Sequence, residues 1–144
     1  MKKMFFESLY EGMEIHKKIR FKKKQIDFYI NLSGDKNSIH IHGEPNPVVP
    51  GILILFKIAG LVSQKFTDKS MVTEIVSKFK RSLFLEQMAF IILKIKGKGS
   101  ARRGMGTIIL DIHIRNNRNK ILFVGSGKIR VPLRQKSVIN NPIF

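Results

Sequence analysis

The sequence predicts an α+β fold in which an antiparallel β-sheet wraps around one long central helix. Three observations carry this expectation. Ile52-Leu53-Ile54-Leu55-Phe56-Lys57-Ile58-Ala59-Gly60-Leu61-Val62 is apolar nearly all round, as a helix buried on most faces must be. Beyond Thr67-Asp68-Lys69-Ser70 the hydrophobic period changes to two. Asn116-Asn117-Arg118-Asn119 then separates two such runs with a strong turn signal.

Taken in order, Met13 to Phe21 alternates as a first strand, with Ile15, Ile19 and Phe21 on one side. Lys23 to Leu32 spaces Ile26, Tyr29 and Ile30 at helical intervals. The central helix runs from Gly51 to Lys65, about 22 Å at roughly 1.5 Å per residue. It is too short to span a bilayer, and Lys57 interrupts it. Strands follow at Met71–Phe79, Met88–Ile95, Thr107–Ile114 and Lys120–Arg130, with Arg81 to Leu85 as a connection. In the third of these, Ile108, Leu110, Ile112 and Ile114 alternate against Ile109, Asp111 and His113, which marks a half-buried strand. Residues 1–136 read as one domain, and Ser137 to Phe144, which has no periodicity, as a tail.

Composition bounds the function. A chain of 144 residues is large enough to bury about two-thirds of its unfolded surface. Its cysteine count of zero excludes disulfide scaffolds, thiolate zinc sites and a cysteine nucleophile, and it fits a reducing cytoplasm. Glu7 and Glu11 cut short the apolar region a signal peptide needs, so neither a targeting segment nor a membrane span is expected. The net charge of +17 has three readings: a solvated lysine bias, a match to an acidic carrier protein or to coenzyme A phosphates, or a nucleic-acid footprint. No recognition-helix pattern, zinc-finger spacing or aromatic RNA-binding motif is present, which argues against nucleic acid.

The chemistry concentrates in Ser33-Gly34-Asp35-Lys36-Asn37-Ser38-Ile39-His40. An acid and an imidazole five residues apart, in a segment too polar for a core strand, can converge on one water and do general acid–base work. The alternative is a polar turn in which Asp35 and Asn37 bond their own backbone. The segment Gly43-Glu44-Pro45-Asn46-Pro47-Val48-Val49-Pro50-Gly51 then feeds the central helix through three prolines that hold the chain extended. Free N–H groups at the helix start can hold a developing oxyanion.

Gly-Asp-x-Asn-x-Ile-His followed by a Gly opening an apolar helix resembles the MaoC-like hydratase/dehydratase family of hotdog-fold proteins, which includes the (R)-specific enoyl-CoA hydratases. The likeness runs from about Phe6 to Leu133. It implies a hydro-lyase that reversibly hydrates a trans-2-enoyl thioester to its (R)-3-hydroxyacyl partner. Asp35 and His40 match the acid–base pair that shares the catalytic water, one taking its proton and the other delivering a proton to the α-carbon. Asn37 matches the active-site Asn that orients the pair, and Gly51 the Gly whose N–H polarises the thioester carbonyl. The resemblance implies no cofactor beyond the coenzyme A or phosphopantetheine of the substrate, with acyl-CoA or acyl carrier protein as partner. It also implies a homodimer paired edge to edge, with sites at the subunit junction and Ile52 and Phe56 lining the acyl channel. Phe56 stands where a polar residue is usual, which predicts a narrowed channel favouring short acyl groups. A second likeness, of His42 followed by Pro47-Val48-Val49-Pro50-Gly51-Ile52-Leu53-Ile54, is to hydroxyacyl-ACP dehydratases, and makes His42 the alternative catalytic residue. The departures (Ser38 for the family's Pro, Pro50-Gly51 for His-Gly, and Phe56) also fit a hotdog that binds acyl thioesters without turning them over.

Other groupings are weaker. His16 and His113 read as solvated strand residues. His40-Ile41-His42 in an extended segment resembles a metal pair, without a clear third ligand. Gly97 to Gly106 lacks the Lys-Ser/Thr and helix of a phosphate loop, and reads as a mobile hairpin. Within it, Lys98, Arg102 and Arg103 are candidates to meet a phosphate or an acidic carrier.

Overall fold

The computed structural model describes residues 2–134, so the expected tail from Ser137 lies outside the described residues. After a short 3-10 turn at Phe6–Ser8 come strand β1 (Glu14–Ile19), helix α1 (Lys23–Ser33), a one-turn helix α2 (Ile39–His42) and the central helix α3 (Gly51–Lys65). Strands β2 (Met71–Phe79), β3 (Ala89–Arg102), β4 (Met105–Asn116) and β5 (Ile121–Pro132) follow. The five strands form one sheet in the order β1-β3-β4-β5-β2, and every pairing is antiparallel. This is the α+β arrangement the sequence predicts, a sheet packed against one helix.

The period-two alternation decides which face of the sheet the helix covers. Ile91, Leu93 and Ile95 of β3 and Ile108, Leu110, Ile112 and Ile114 of β4 are buried, while their neighbours in sequence turn outward. From α3 they meet Leu53, Ile54, Ile58, Leu61 and Val62. The helix is less enclosed than its composition predicts. Ile52, Phe56, Ala59 and Ser63 form an exposed stripe, because they recur at helical spacing on the side away from the sheet.

Two expectations are corrected here. Strand β3 does not stop at Ile95 but continues through the glycine run to Arg102, paired with β4 down to Arg102 opposite Met105. The turn is only Arg103-Gly104, both at positive φ (53° and 76°), as the tight primed hairpin turn demands. The expected glycine-rich hairpin is present, with both arms paired strand, kinked by irregularities at Ile95/Gly97 and Lys98/Ala101. Second, His40-Ile41-His42 is helical rather than extended, so residues two apart diverge instead of sharing a face.

Candidate active site

Local chain chemistry places each residue of the polar segment. Helix α1 ends at Gly34, whose left-handed φ of 74° turns the chain and lets its N–H donate to Ile30 O at 2.9 Å. Asp35 emerges directly from that turn. Its Oδ1 accepts the Asn37 backbone N–H at 3.0 Å, and Asn37 Oδ1 in turn accepts the Ile39 N–H at 3.2 Å, which starts α2. The polar-turn alternative thus describes the backbone of this segment. Asn37 acts on Asp35 through its main chain, while its side chain serves the helix.

The second carboxylate oxygen is left for other work. Asp35 Oδ2 accepts the Tyr29 hydroxyl at 2.9 Å and lies 3.5 Å from His40 Nε2. His40 Nδ1 sits 2.7 Å from Val48 O. A carbonyl can only accept, so Nδ1 carries the proton, and in its neutral form His40 presents a lone pair at Nε2. In that form Nε2 and Oδ2 are two acceptors 3.5 Å apart, and a water donating one hydrogen to each satisfies both. The His40 side chain is 10% exposed and that of Asp35 30%, so the pair is screened from solvent but reachable. The Asn37 N–H, then the Tyr29 hydroxyl, hold the Asp35 carboxyl below its ordinary 3.8 against the opposing effect of burial. Burial, then the Asp35 bond, pushes the Tyr29 hydroxyl up.

His40 opens onto a cavity of about 450 Å³ that Val48, Gly51, Ile54, Phe79 and Leu83 also line. The extended segment before α3 is fixed there by Val49 N–H donating to Leu83 O and Leu85 N–H donating to Pro47 O, both near 2.9 Å. Gly51 begins α3, and no hydrogen-bond partner takes its N–H among the described residues. A Cβ at this position would stand 2.7 Å from Phe79 Cζ, so any larger residue must displace that ring.

The remaining predicted residues are distributed as follows. His40 and Gly51 share the cavity, and Asp35 and Asn37 are not part of its lining. His42 is exposed and has no partner among the described residues, so the pair forms with His40 and not with the alternative histidine. Phe56 and Ile52 do not reach this cavity. Ile54 takes their place, because the helix turns residues 52 and 56 to its exposed stripe. Lys98 is not free for a phosphate: its Nζ donates to Phe6 O at 2.8 Å and Leu9 O at 2.9 Å and lies 4.2 Å over the Phe6 ring. Arg102 and Arg103 do meet, with Arg130, Ser100 and Thr107, around a polar hollow. Among the described residues there is no cluster of three or more metal-ligating side chains.

Tyr29, Val48 and Phe79 are site residues that sequence reasoning missed. Tyr29 was legible only as an apolar helix position. Its spacing one turn before a Gly-Asp step was the available signal.

No family model matches the sequence, and no curated protein does. Solved structures do match. The (R)-hydratase of A. caviae involved in PHA biosynthesis superposes with a TM-score of 0.75 at 20% identity, over 88% of this chain and 99% of that one. The unliganded (R)-hydratase PhaJ1 from Pseudomonas aeruginosa gives 0.79 at 14% identity, over 99% and 96%. A MaoC-like dehydratase from Rhodospirillum rubrum gives 0.76 at 11% identity, over 92% and 99%. The chain therefore has the hotdog fold that MaoC-like dehydratases and (R)-hydratases share. Among the described residues no helix is long and apolar enough to cross a membrane.

Proposed function

We propose that this protein is a hydro-lyase that adds water across the double bond of a trans-2-enoyl thioester, or removes it from the (R)-3-hydroxyacyl thioester. The observation that carries this reading is the convergence of ionised Asp35 Oδ2 and the lone pair of His40 Nε2, 3.5 Å apart, beside a cavity that the free Gly51 N–H also borders. A water held between them gives one proton to His40 Nε2 as its oxygen bonds to the β-carbon. Electrons of the double bond move to the thioester oxygen, where the Gly51 N–H stabilises the enolate. The imidazolium then returns the same proton to the α-carbon, and Asp35 stabilises that imidazolium throughout. No group is left in a changed protonation state, so no cofactor is required.

The substrate's carrier and the assembly belong to the same proposal. Strand β2 is an open edge with Met71, Val76 and Phe79 exposed, and a two-fold partner pairing there would cover it. In antiparallel β2–β2 pairing the Met71 end of one chain lies beside the Phe79 end of the other. Arg130 pairs with both Met71 and Thr107, so Arg102, Arg103 and Arg130 of a partner would approach the end of the sheet where Gly51 meets Phe79. Within one chain Arg102 and Arg103 lie about 30 Å from that end along the strands, and Arg130 about 23 Å. Coenzyme A or a phosphopantetheine carrier supplies the phosphate for such arginines.

Loss of enoyl-thioester absorbance with crotonyl-CoA and with a longer enoyl-CoA tests the reading. Turnover by the wild-type chain that disappears in Asp35→Asn supports it. Tight thioester binding without turnover would leave an acyl-binding hotdog instead.

A further inference from the structure

A second cavity on α3 takes no part in this reaction. It holds about 490 Å³, within the range of about 300–1,000 Å³ usual for small-molecule sites. None of its lining residues borders the His40 cavity. The two open on different flanks of the helix: Leu53, Phe56, Lys57 and Gly60 face this one, while Gly51 and Ile54 face the other. It lies against β1, at the opposite edge of the sheet from β2, so pairing through β2 would leave it open.

Its chemistry is one-sided. Lys17, Lys24 and Lys57 line it, and no carboxylate does. Lys17 shares a side of β1 with buried Ile15 and Ile19 and is itself exposed, so its ammonium is open to an anion in the cavity. Neither Lys17 nor Lys24 has an acidic or hydrogen-bonded partner among the described residues. The Lys57 ammonium is held 5.7 Å over the Phe21 ring, at the cavity wall. Between these cations Gln25 and Gln64 add neutral polar groups and the rest of the lining is apolar, with two phenyl rings, Phe28 at 65% and Phe56 at 54% exposure, left uncovered.

We propose that this cleft binds a single-chain carboxylate amphiphile, a free fatty acid anion, with its alkyl chain on Leu53, Phe28 and Phe56 and its head group among the lysines. A concave apolar floor suits one alkyl chain better than an acidic protein surface. Three ammonium groups give the cavity a positive rim, and a monoanionic carboxylate is the smallest head group that complements it while an alkyl chain takes the apolar floor. The proposal does not rest on the hydratase reading, since binding is measured directly.

Calorimetric titration with decanoate, kept below its micelle concentration, tests it. One site per chain is expected, with decanol and decyltrimethylammonium at least about tenfold weaker for want of a charge-assisted bond. Lys17→Met keeps the stem and removes the charge, and should weaken decanoate about tenfold. Gly60→Leu projects a side chain where a Cβ meets nothing within 4 Å, and should block the site with the melting temperature held or raised. Decanol binding as tightly as decanoate, non-saturating uptake, or affinity unchanged in both variants would overturn it. So would binding only to anionic phosphatidylglycerol vesicles, which would mark a membrane-facing patch instead.

Discussion

Asp35 is a residue whose two oxygens do different jobs. Oδ1 closes the turn onto Asn37 N–H, and Oδ2 faces Tyr29 and His40. The turn chemistry and the acid–base pair were legible in the sequence as competing alternatives, and the structure puts the turn bond and the contact with His40 on the two oxygens of one carboxylate. What the sequence could not show is the His40 tautomer, because that depends on Val48 O, eight residues away across a proline-held segment. We expect Asp35→Asn and His40→Ala each to lower kcat by about 10²–10⁴-fold, the worth of general acid–base catalysis, without loss of folding by circular dichroism. The pH behaviour follows from the direction of the Asp35 shift. Its folded pKa is depressed, so its contribution to stability is present above the unfolded value and is lost as pH falls through the folded one. Removing the Tyr29 hydroxyl takes away the second-largest cause of that depression. Tyr29→Phe should therefore move the titration of the Asp35 carboxylate, followed by carbon NMR of the labelled side chain, to higher pH, toward the ordinary carboxylate value of 3.8. An unmoved titration would mean that the Asn37 N–H alone sets the carboxylate.

At the scale of elements, α3 is where the sequence was most and least informative. Its bounds, Gly51 to Lys65, follow from a Pro-Gly step and a continuous apolar run, and they hold to the residue. Its rotation does not follow. A helix apolar on every side has no amphipathic phase from which to read which residue meets the site, so Phe56 and Ile52 were expected where Ile54 stands. The glycine run after Ile95 was obscure for a related reason: glycine leaves no alternation to read, although the backbone pairs regularly to Arg102. Phe79 was equally hidden, since its role is set by long-range register, with Phe123 5.3 Å away in a T-shaped pair and Gly51 beneath it. That stacking makes a test of the oxyanion donor. Gly51→Pro removes that N–H at the first helical position, where proline is tolerated, and should lower kcat by about 10²-fold or more, as loss of one oxyanion donor does. Adding Phe79→Ala makes room for the ring and should recover the melting temperature lost in Gly51→Pro but not the rate. Recovery of both would show that Gly51 matters only for packing.

At the scale of the whole molecule, the two ends of the sheet carry different chemistry. The Phe79–Phe123 end holds Gly51, and through its cavity His40, while the Arg102–Met105 end holds three arginines. Sequence proximity had grouped Lys98 with Arg102 and Arg103. The irregularity at Ile95/Gly97 instead sends Lys98 to the Phe6 and Leu9 carbonyls. Lys98→Met should thus lower stability by about 1 kcal/mol, the ordinary worth of such bonds, and leave KM unchanged. For the arginines, the proposed two-fold partner paired through β2 would bring its set to the end of the sheet that holds His40, from which a chain's own Arg102 and Arg103 lie about 30 Å along the strands. Val76, exposed at 58% on that edge, offers the first check: Val76→Lys should shift the sedimentation coefficient from dimer to monomer and abolish activity. A wild-type chain that sediments as an active monomer would already sink the edge-paired assembly. Subunit mixing then asks which chain supplies the arginines. Arg102→Ala/Arg103→Ala should raise KM and flatten its salt dependence with kcat little changed. His40→Ala should be inactive. If each site combines one chain's His40 with the other chain's arginines, a mixed dimer places both lesions in one site and leaves the second site intact. Mixing the two variants should then restore, per mixed dimer, about half the wild-type kcat at wild-type KM. If His40 and the arginines of a single chain act together, every surviving His40 keeps its own chain's arginine lesion. The mixed dimer then retains the raised KM, and the crossed arrangement is wrong.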